Sequence, residues 1–303
     1  IHHMIEKLDG SGYEEAEVTE AAAPTGTTVT IGKGQSKAYD GFTFNESRME
    51  DSTGIIPGEG TLKLKLYYSR NQYDVTFVSG TKVNPETQSV PYQGKATEPE
   101  APSREGYEFT GWYASTEALK KWDFAENKVT EAVRLIAGWK ADTYNVTLDR
   151  QGGTGGDENV QAVYDSAMPG ITIPVRAGYQ FLGYYDAAEN GNQYYNADGS
   201  SASNWNKAGN DKYTLYAKWS VNRYQVAFEA NGGTGSMADQ NFTYDVNQPL
   251  STNTFTREGY TFAGWSKVEN ADKAAYTDGA VVENLTTEAD QTVTLYAVWK
   301  PVT

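Results

Sequence analysis

The sequence predicts a mostly β, or α+β, chain of low helix content, laid out as an elongated array of small tandem modules. Three observations carry that expectation. The phrase "REGYTFAGWS" at residues 257–266 has near-copies in "REGYEFTGWY" (104–113) and "RAGYQFLGYY" (176–185). The segments "LIAGWK", "TLYAKWS" and "TLYAVWK" carry Trp139, Trp219 and Trp299, which stand 80 residues apart (139 to 219 to 299). Both ends of each module alternate apolar and polar residues with period two, the signature of strands with one face buried and the other in water.

Residues 1–70 form a module of a different kind. Its last segment, "GEGTLKLKLYYSRN" (58–71), sets Leu62, Leu64 and Leu66 against Lys63 and Lys65 and predicts a strand running straight into the first repeat. The repeats then open at Tyr73 ("YDVTFVSG"), Tyr144 ("YNVTLDRQGG") and Tyr224 ("YQVAFEANGG"), giving modules at 73–141, 144–220 and 224–300. In the opening strands Tyr144, Val146 and Leu148 share a face, as do Tyr224, Val226 and Phe228. In the closing strands Leu215, Ala217 and Trp219 match Leu295, Ala297 and Trp299. Gly106, Gly178 and Gly259 precede the Tyr of the phrase where the chain must turn into a strand.

Between phrase and closing strand the modules differ, as tolerant surface loops do. The first carries "STEALKKWDF" (115–124), which predicts a short helix opened by Ser115 or Thr116. The second carries "DAAENGNQYYNADGSSASNWN" (186–206), rich in Asn, Gly and Ser and expected to be loop. The junctions "KADT" (140–143) and "SVNR" (220–223) are too short for floppy linkers and predict a semi-rigid string.

Composition removes several classes of function. A net charge of −15 disfavours nucleic acid, whose binding rests on clustered Lys and Arg releasing counterions. With no Cys there are no disulfides, thiol nucleophiles or Cys-ligated metals, and with His only at His2 and His3 there is no His triad or His-based zinc site in the repeats. No apolar run approaches the roughly 18 residues of a membrane span. The chain is expected to be a piece of a longer protein and a monomer.

The Gly-Tyr-x-Phe-x-Gly phrase and the "TLYAVWK" ending resemble the Listeria–Bacteroides repeat, related to the B repeat of internalin-type surface proteins, over residues 73–300. The first copy departs with "LIAGWK", and the second has Tyr184 in place of the phrase's Trp. Residues 1–70 resemble more weakly a mucin-binding-protein-like module with a truncated start, through "LDGSGYEE", "YDGFTFNES" and "LKLYY". The resemblance implies β-grasp-like units, each a small mixed sheet, in a secreted protein of a Gram-positive cell surface. Anchoring to the cell wall would lie outside this segment, and the family supplies no catalytic residues.

Candidate chemistry is sparse. "QGGTGG" (151–156) and "NGGTGS" (231–236) lack the following Lys-Ser/Thr of a phosphate loop and are read as turns. The acidic loop 186–199 lacks the spacing of an EF-hand, so neither a metal nor another cofactor is expected. No carboxylate pair recurs in a distinctive setting, and no Lys, Asn and acid trio can be assigned to an isopeptide staple. The expected role is therefore a non-enzymatic stalk or spacer and adhesion module whose partner is a host surface protein or glycan, with no membrane insertion. The alternative is a carbohydrate-binding module that stacks sugars on exposed Tyr184, Tyr185, Tyr194, Tyr195 and Trp205.

Overall fold

The computed structural model describes residues 1–114, 120–209 and 212–303, and the chain divides into two compact units, Ile1–Lys140 and Ala141–Thr303. Among the described residues the one helical element is a single 3-10 turn, Lys33–Gln35; the rest is strand, turn and loop. The helix expected at 115–124 falls partly on residues 115–119, which lie outside the described residues. Of its remainder, Lys121 makes a β-bridge to Tyr113.

The first unit opens with a four-stranded sheet ordered Tyr13–Val18, His2–Glu6, Lys65–Arg70, Phe42–Phe44. The ladder begins at Lys65, later than the leucine alternation suggests, because Leu64 and Leu62 reach the core from the segment before the strand. Ile31, Leu64, Leu66 and Tyr68 form that core. The first repeat follows with a sheet ordered Gln88–Pro91, Gln72–Val78, Val133–Ala141, Tyr107–Tyr113.

The second unit repeats this order twice. One sheet runs Asn159–Val163, Thr143–Asp149, Tyr213–Val221, Tyr179–Tyr185, with Gln193–Tyr195 added at the edge. The other runs Gln240–Thr243, Arg223–Glu229, Thr292–Pro301, Tyr260–Ser266. In all three repeats the opening strand is antiparallel to its hairpin partner and parallel to the closing strand. Parallel neighbours need a long crossover. Here the hairpin, the phrase strand and the variable loop together supply it.

Alternation fills each core as expected. Val146 and Leu148, or Tyr224, Val226 and Phe228, point inward from the opening strand, and Leu215 with Ala217, or Leu295 with Ala297, meet them from the closing strand. Trp112, Tyr184 and Trp265, at one position of the phrase, are fully buried, so the Tyr184 replacement keeps the core plug. The closing Trp lies across the end of the opening strand. The indole N–H groups of Trp139, Trp219 and Trp299 donate to the carbonyls of Ser79, Arg150 and Ala230 at 2.8, 2.9 and 2.9 Å.

The glycine before the phrase's Trp or Tyr is a bulge. Gly111, Gly183 and Gly264 take φ of 132°, 130° and 131°, and the register to the closing strand slips at Gly183 and Gly264. A Cβ at Gly183 would overlap the Tyr195 carbonyl oxygen. Gly183→Ala therefore combines positive-φ strain with a backbone clash and is expected to destabilise the second repeat by more than about 2 kcal/mol. Gly170→Ala, with open space around it, should stay within about 0.5 kcal/mol of the parent chain. Urea unfolding followed by circular dichroism checks both.

Candidate functional site

Four of the five aromatic residues expected to face solvent, Tyr184, Tyr194, Tyr195 and Trp205, form part of a core instead. Tyr184, Tyr195 and Trp205 are 0% exposed and Tyr194 2%, while Tyr185 is half-buried beneath the Lys218 ammonium at 4.1 Å. The reason lies in the segment 186–206, which folds back rather than projecting. Gln193–Tyr195 pairs with Tyr184 and Tyr185 as an extra strand. Asp186 accepts from the Asn192 amide at 2.6 Å, and the Trp205 backbone exchanges hydrogen bonds with Ser166 and Asp165 at 2.9 and 2.7 Å. The Asn and Asp side chains that suggested a ligand loop thus tie the loop to itself.

Most of the rings meet edge to face, the arrangement that aromatic quadrupoles favour, and Tyr194 and Trp205 meet at a tilt. Tyr184 contacts Phe181 at 5.2 Å and Tyr195 at 6.2 Å, and Trp205 contacts Tyr194 at 5.2 Å and Tyr213 at 5.0 Å. A sugar has no ring face to stack on at Tyr184, Tyr194, Tyr195 or Trp205, which removes the exposure that the carbohydrate-binding alternative requires. The glycine turns are also taken. A Cβ at Gly153 or Gly233 would lie 2.6 or 2.8 Å from the ring of Trp219 or Trp299, so these glycines exist to let the indole close. Asp186, in the acidic loop, is paired with Lys207 at 3.0 Å, and among the described residues no three His, Asp or Glu side chains converge to hold a metal.

What the repeated phrase does build is a junction. Its Arg-x-Gly-Tyr portion is a tight turn in every copy. The Tyr107, Tyr179 and Tyr260 amides donate to the carbonyls of Arg104, Arg176 and Arg257 at 3.1 Å, with the glycine between them at φ 74°. Each arginine guanidinium sits over its tyrosine, at 3.9, 3.8 and 4.0 Å. In the second unit the Asn222 amide donates to the Gly178 carbonyl at 2.8 Å, and the Asn222 carbonyl accepts from the Tyr244 amide of the next repeat at 3.0 Å. Tyr244 lies against Gly178, where a Cβ would overlap its ring, and meets Tyr179 edge-on at 6.0 Å. The Tyr179 hydroxyl donates to Asp245 at 2.9 Å, and the Asn284 amide donates to the same carboxylate at 2.9 Å. These two donors, Asn284 foremost, hold the Asp245 carboxyl below its ordinary pKa.

The first unit contains the same device. The Asn71 amide donates to Gly41 at 2.9 Å, its carbonyl accepts from the Tyr92 amide at 2.8 Å, and Tyr92 fills the space over Gly41. Phe42 takes the place of the phrase's Tyr, meeting Tyr92 at 6.0 Å, and Arg70 lies over Phe42 at 4.6 Å while donating to the Tyr92 carbonyl at 2.8 Å. Gly41, Asn71, Tyr92, Asn222, Tyr244 and Asp245 went unnoticed as working residues in the sequence, and Gly178 was read only as a turn. The signal was present. Tyr92 and Tyr244 follow Tyr73 and Tyr224 at nearly equal distance, and "DGFTF" repeats the grammar of "AGYQF".

A family model described as the Listeria–Bacteroides repeat domain matches residues 73–138, 144–218 and 224–298. A protein of Evansella cellulosilytica described as a Gly-rich membrane protein is 30% identical over 97% of this chain and 33% of its own length. A second membrane protein of that organism is 30% identical over 75% of this chain and 33% of its own length. Internalin H of Listeria monocytogenes is 33% identical over 60% of this chain and 30% of its own length. The chain spans about a third of the length of these curated relatives.

Burial of the aromatic cluster has a measurable consequence at high pH. Burial pushes the Tyr184 hydroxyl from 10.0 up to about 12 and raises Tyr195 as well. A folded pKa above the unfolded value means the stabilisation is complete below pH 10.0 and is lost as pH rises towards the folded value. Neither hydroxyl has a hydrogen-bond partner among the described residues. The double variant Tyr184→Phe, Tyr195→Phe should therefore stay within about 1 kcal/mol of the parent at pH 8 and keep more of its stability at pH 11. Urea titrations at the two pH values check this, and identical pH dependence in variant and parent would contradict it.

Proposed function

The chain belongs to the Listeria–Bacteroides repeat family, and on that footing we propose that it is a non-catalytic segment of a bacterial cell-surface protein. It serves as a stalk that sets the distance and orientation of whatever it carries, and it contributes to adhesion to a host surface protein or glycan. The observation that carries this reading is the junction built alike in both units. In it the amide and carbonyl of one asparagine bond to two successive modules, and the ring of the later one fills a glycine socket on the earlier. Such a joint resists bending, because moving one module would break two backbone hydrogen bonds and expose an aromatic ring together.

Absorption of the phrase into folding and joining supports the non-catalytic reading: Arg and Gly make the turn, Phe and Trp or Tyr184 fill the core, the second Gly makes the bulge, and in the second repeat Tyr179 meets the neighbour. No helix among the described residues is long and apolar enough to cross a membrane, so in this reading attachment to the cell comes through other segments. The names of the Evansella membrane proteins and of Internalin H favour a surface location over a cytosolic one.

A display experiment tests the stalk. An epitope placed before Ile1, on a chain anchored through its C-terminus to a Gram-positive wall, should bind antibody on intact cells. Removing residues 144–223 and then also 224–300 should lower that binding stepwise at equal expression. Antibody binding that ignores repeat number would count against a spacer, and hydrolysis of a glycan or peptide panel, abolished by one carboxylate substitution, would overturn the non-catalytic assignment.

A further inference from the structure

The third repeat carries the same socket as the second, and none of the described residues covers it. Gly259 has φ 74°, the value at Gly178, and the Tyr260 amide closes the turn onto Arg257 at 3.1 Å. Arg257 stacks over Tyr260 at 4.0 Å, as Arg176 does over Tyr179 at 3.8 Å. The Val302 amide donates to the Gly259 carbonyl at 2.9 Å, reproducing the Asn222 to Gly178 bond at 2.8 Å. Strand register agrees, since Tyr260 pairs with Pro301 where Tyr179 pairs with Val221. One thing differs. A Cβ at Gly259 would meet no atom within 4 Å, whereas at Gly41 and Gly178 it would overlap a tyrosine ring. Tyr260 is 36% exposed and Val302 62%.

We propose that the face around Gly259, Tyr260 and Val302 is a docking socket for one further module of the same repeat. The group it receives is a Tyr–Asp hairpin turn equivalent to Tyr244–Asp245. The ring would lie on Gly259 and edge-on to Tyr260, the amide of that tyrosine would bond to the Val302 carbonyl, and the carboxylate would accept the Tyr260 hydroxyl. Two filled examples in this molecule, Tyr92 on Gly41 and Tyr244 on Gly178, define the fit. Neither Tyr92 nor Tyr244 belongs to the core of its own repeat, although the Tyr92 ring also meets Tyr73 edge-on at 6.4 Å. The connection length also fits. By strand register Lys300 to Thr303 occupy the positions of Ser220 to Arg223, so a module appended after Thr303 would open its strand where Tyr224 does.

The proposal rests on the spacer reading for its purpose but not for its geometry. The test appends a copy of residues 224–303 after Thr303 of the full chain. Hydroxyl-radical footprinting with mass spectrometry then compares oxidation of Tyr260 with that of Tyr179 in the same molecule. The expected result is that Tyr260 reacts faster than Tyr179 in the parent and falls to the Tyr179 rate in the extended chain. Alanine at the added copy's counterpart of Tyr244 should return Tyr260 to its parental rate. Gly259→Ala in the extended chain should do the same from the socket side, with circular dichroism reporting that each variant is folded. Equal Tyr260 oxidation with and without the added repeat overturns the proposal, as does protection that survives both substitutions. Either failure leaves the outcome of the display experiment untouched, so the socket and the stalk can fall separately.

Discussion

In each repeat the closing-strand indole lies over the end of the opening strand and donates its N–H to a carbonyl there, at 2.8–2.9 Å. Much of the module follows from that contact. Seating a tryptophan so close to the backbone requires glycine at Gly153 and Gly233. It also ties together the ends of the two parallel strands at the centre of the sheet, which the chain itself connects only through a long crossover. The phrase strand then completes the enclosure, with Phe109, Phe181 or Phe262 meeting the same indole at 5.6, 5.4 or 5.6 Å. Modules of this size bury only about 60% of their unfolded surface. A few large rings in edge-to-face contact therefore carry a disproportionate share of the core.

The same economy explains why one phrase serves both folding and assembly. The bulge at Gly183 or Gly264 shifts the strand register so that the following ring points inward. At the start of the phrase in the second repeat the Arg-x-Gly-Tyr turn faces the other way, towards the next module. In the second unit that turn meets Tyr244, in the first unit the Tyr39–Phe42 turn meets Tyr92, and in each the linking asparagine joins the two modules through its own backbone. The junction thus needs no linker: its hydrogen bonds belong to the strand ends of both modules, as ladder bonds belong to a sheet.

The aromatic loop of the second repeat shows how composition misleads. Asn, Gly, Asp and Ser in 186–206 are turn-forming residues, and they do form turns, with Asp198 accepting from the Ser200 amide at 2.9 Å and Asn196 donating to Ser200 at 3.0 Å. Turns satisfied by their own side chains can fold flat against a sheet as readily as they can project from it. What decides is the hydrophobic gain of burying Tyr194, Tyr195 and Trp205 over a small core. That gain depends on which surface lies within reach of the loop and leaves no mark in local spacing.

Period-two alternation, the thrice-written phrase and the regular spacing of Trp139, Trp219 and Trp299 were enough to determine the β class and the inward faces of the opening and closing strands, because those properties are local. Gly178 was legible as a turn for the same reason. That it is also a socket for Tyr244 was decided only by tertiary structure, since the two residues are far apart in the chain and meet through the register of strands between them. The burial of Tyr184, Tyr195 and Trp205 was likewise decided in three dimensions, by the competition between water and a neighbouring core for the same rings.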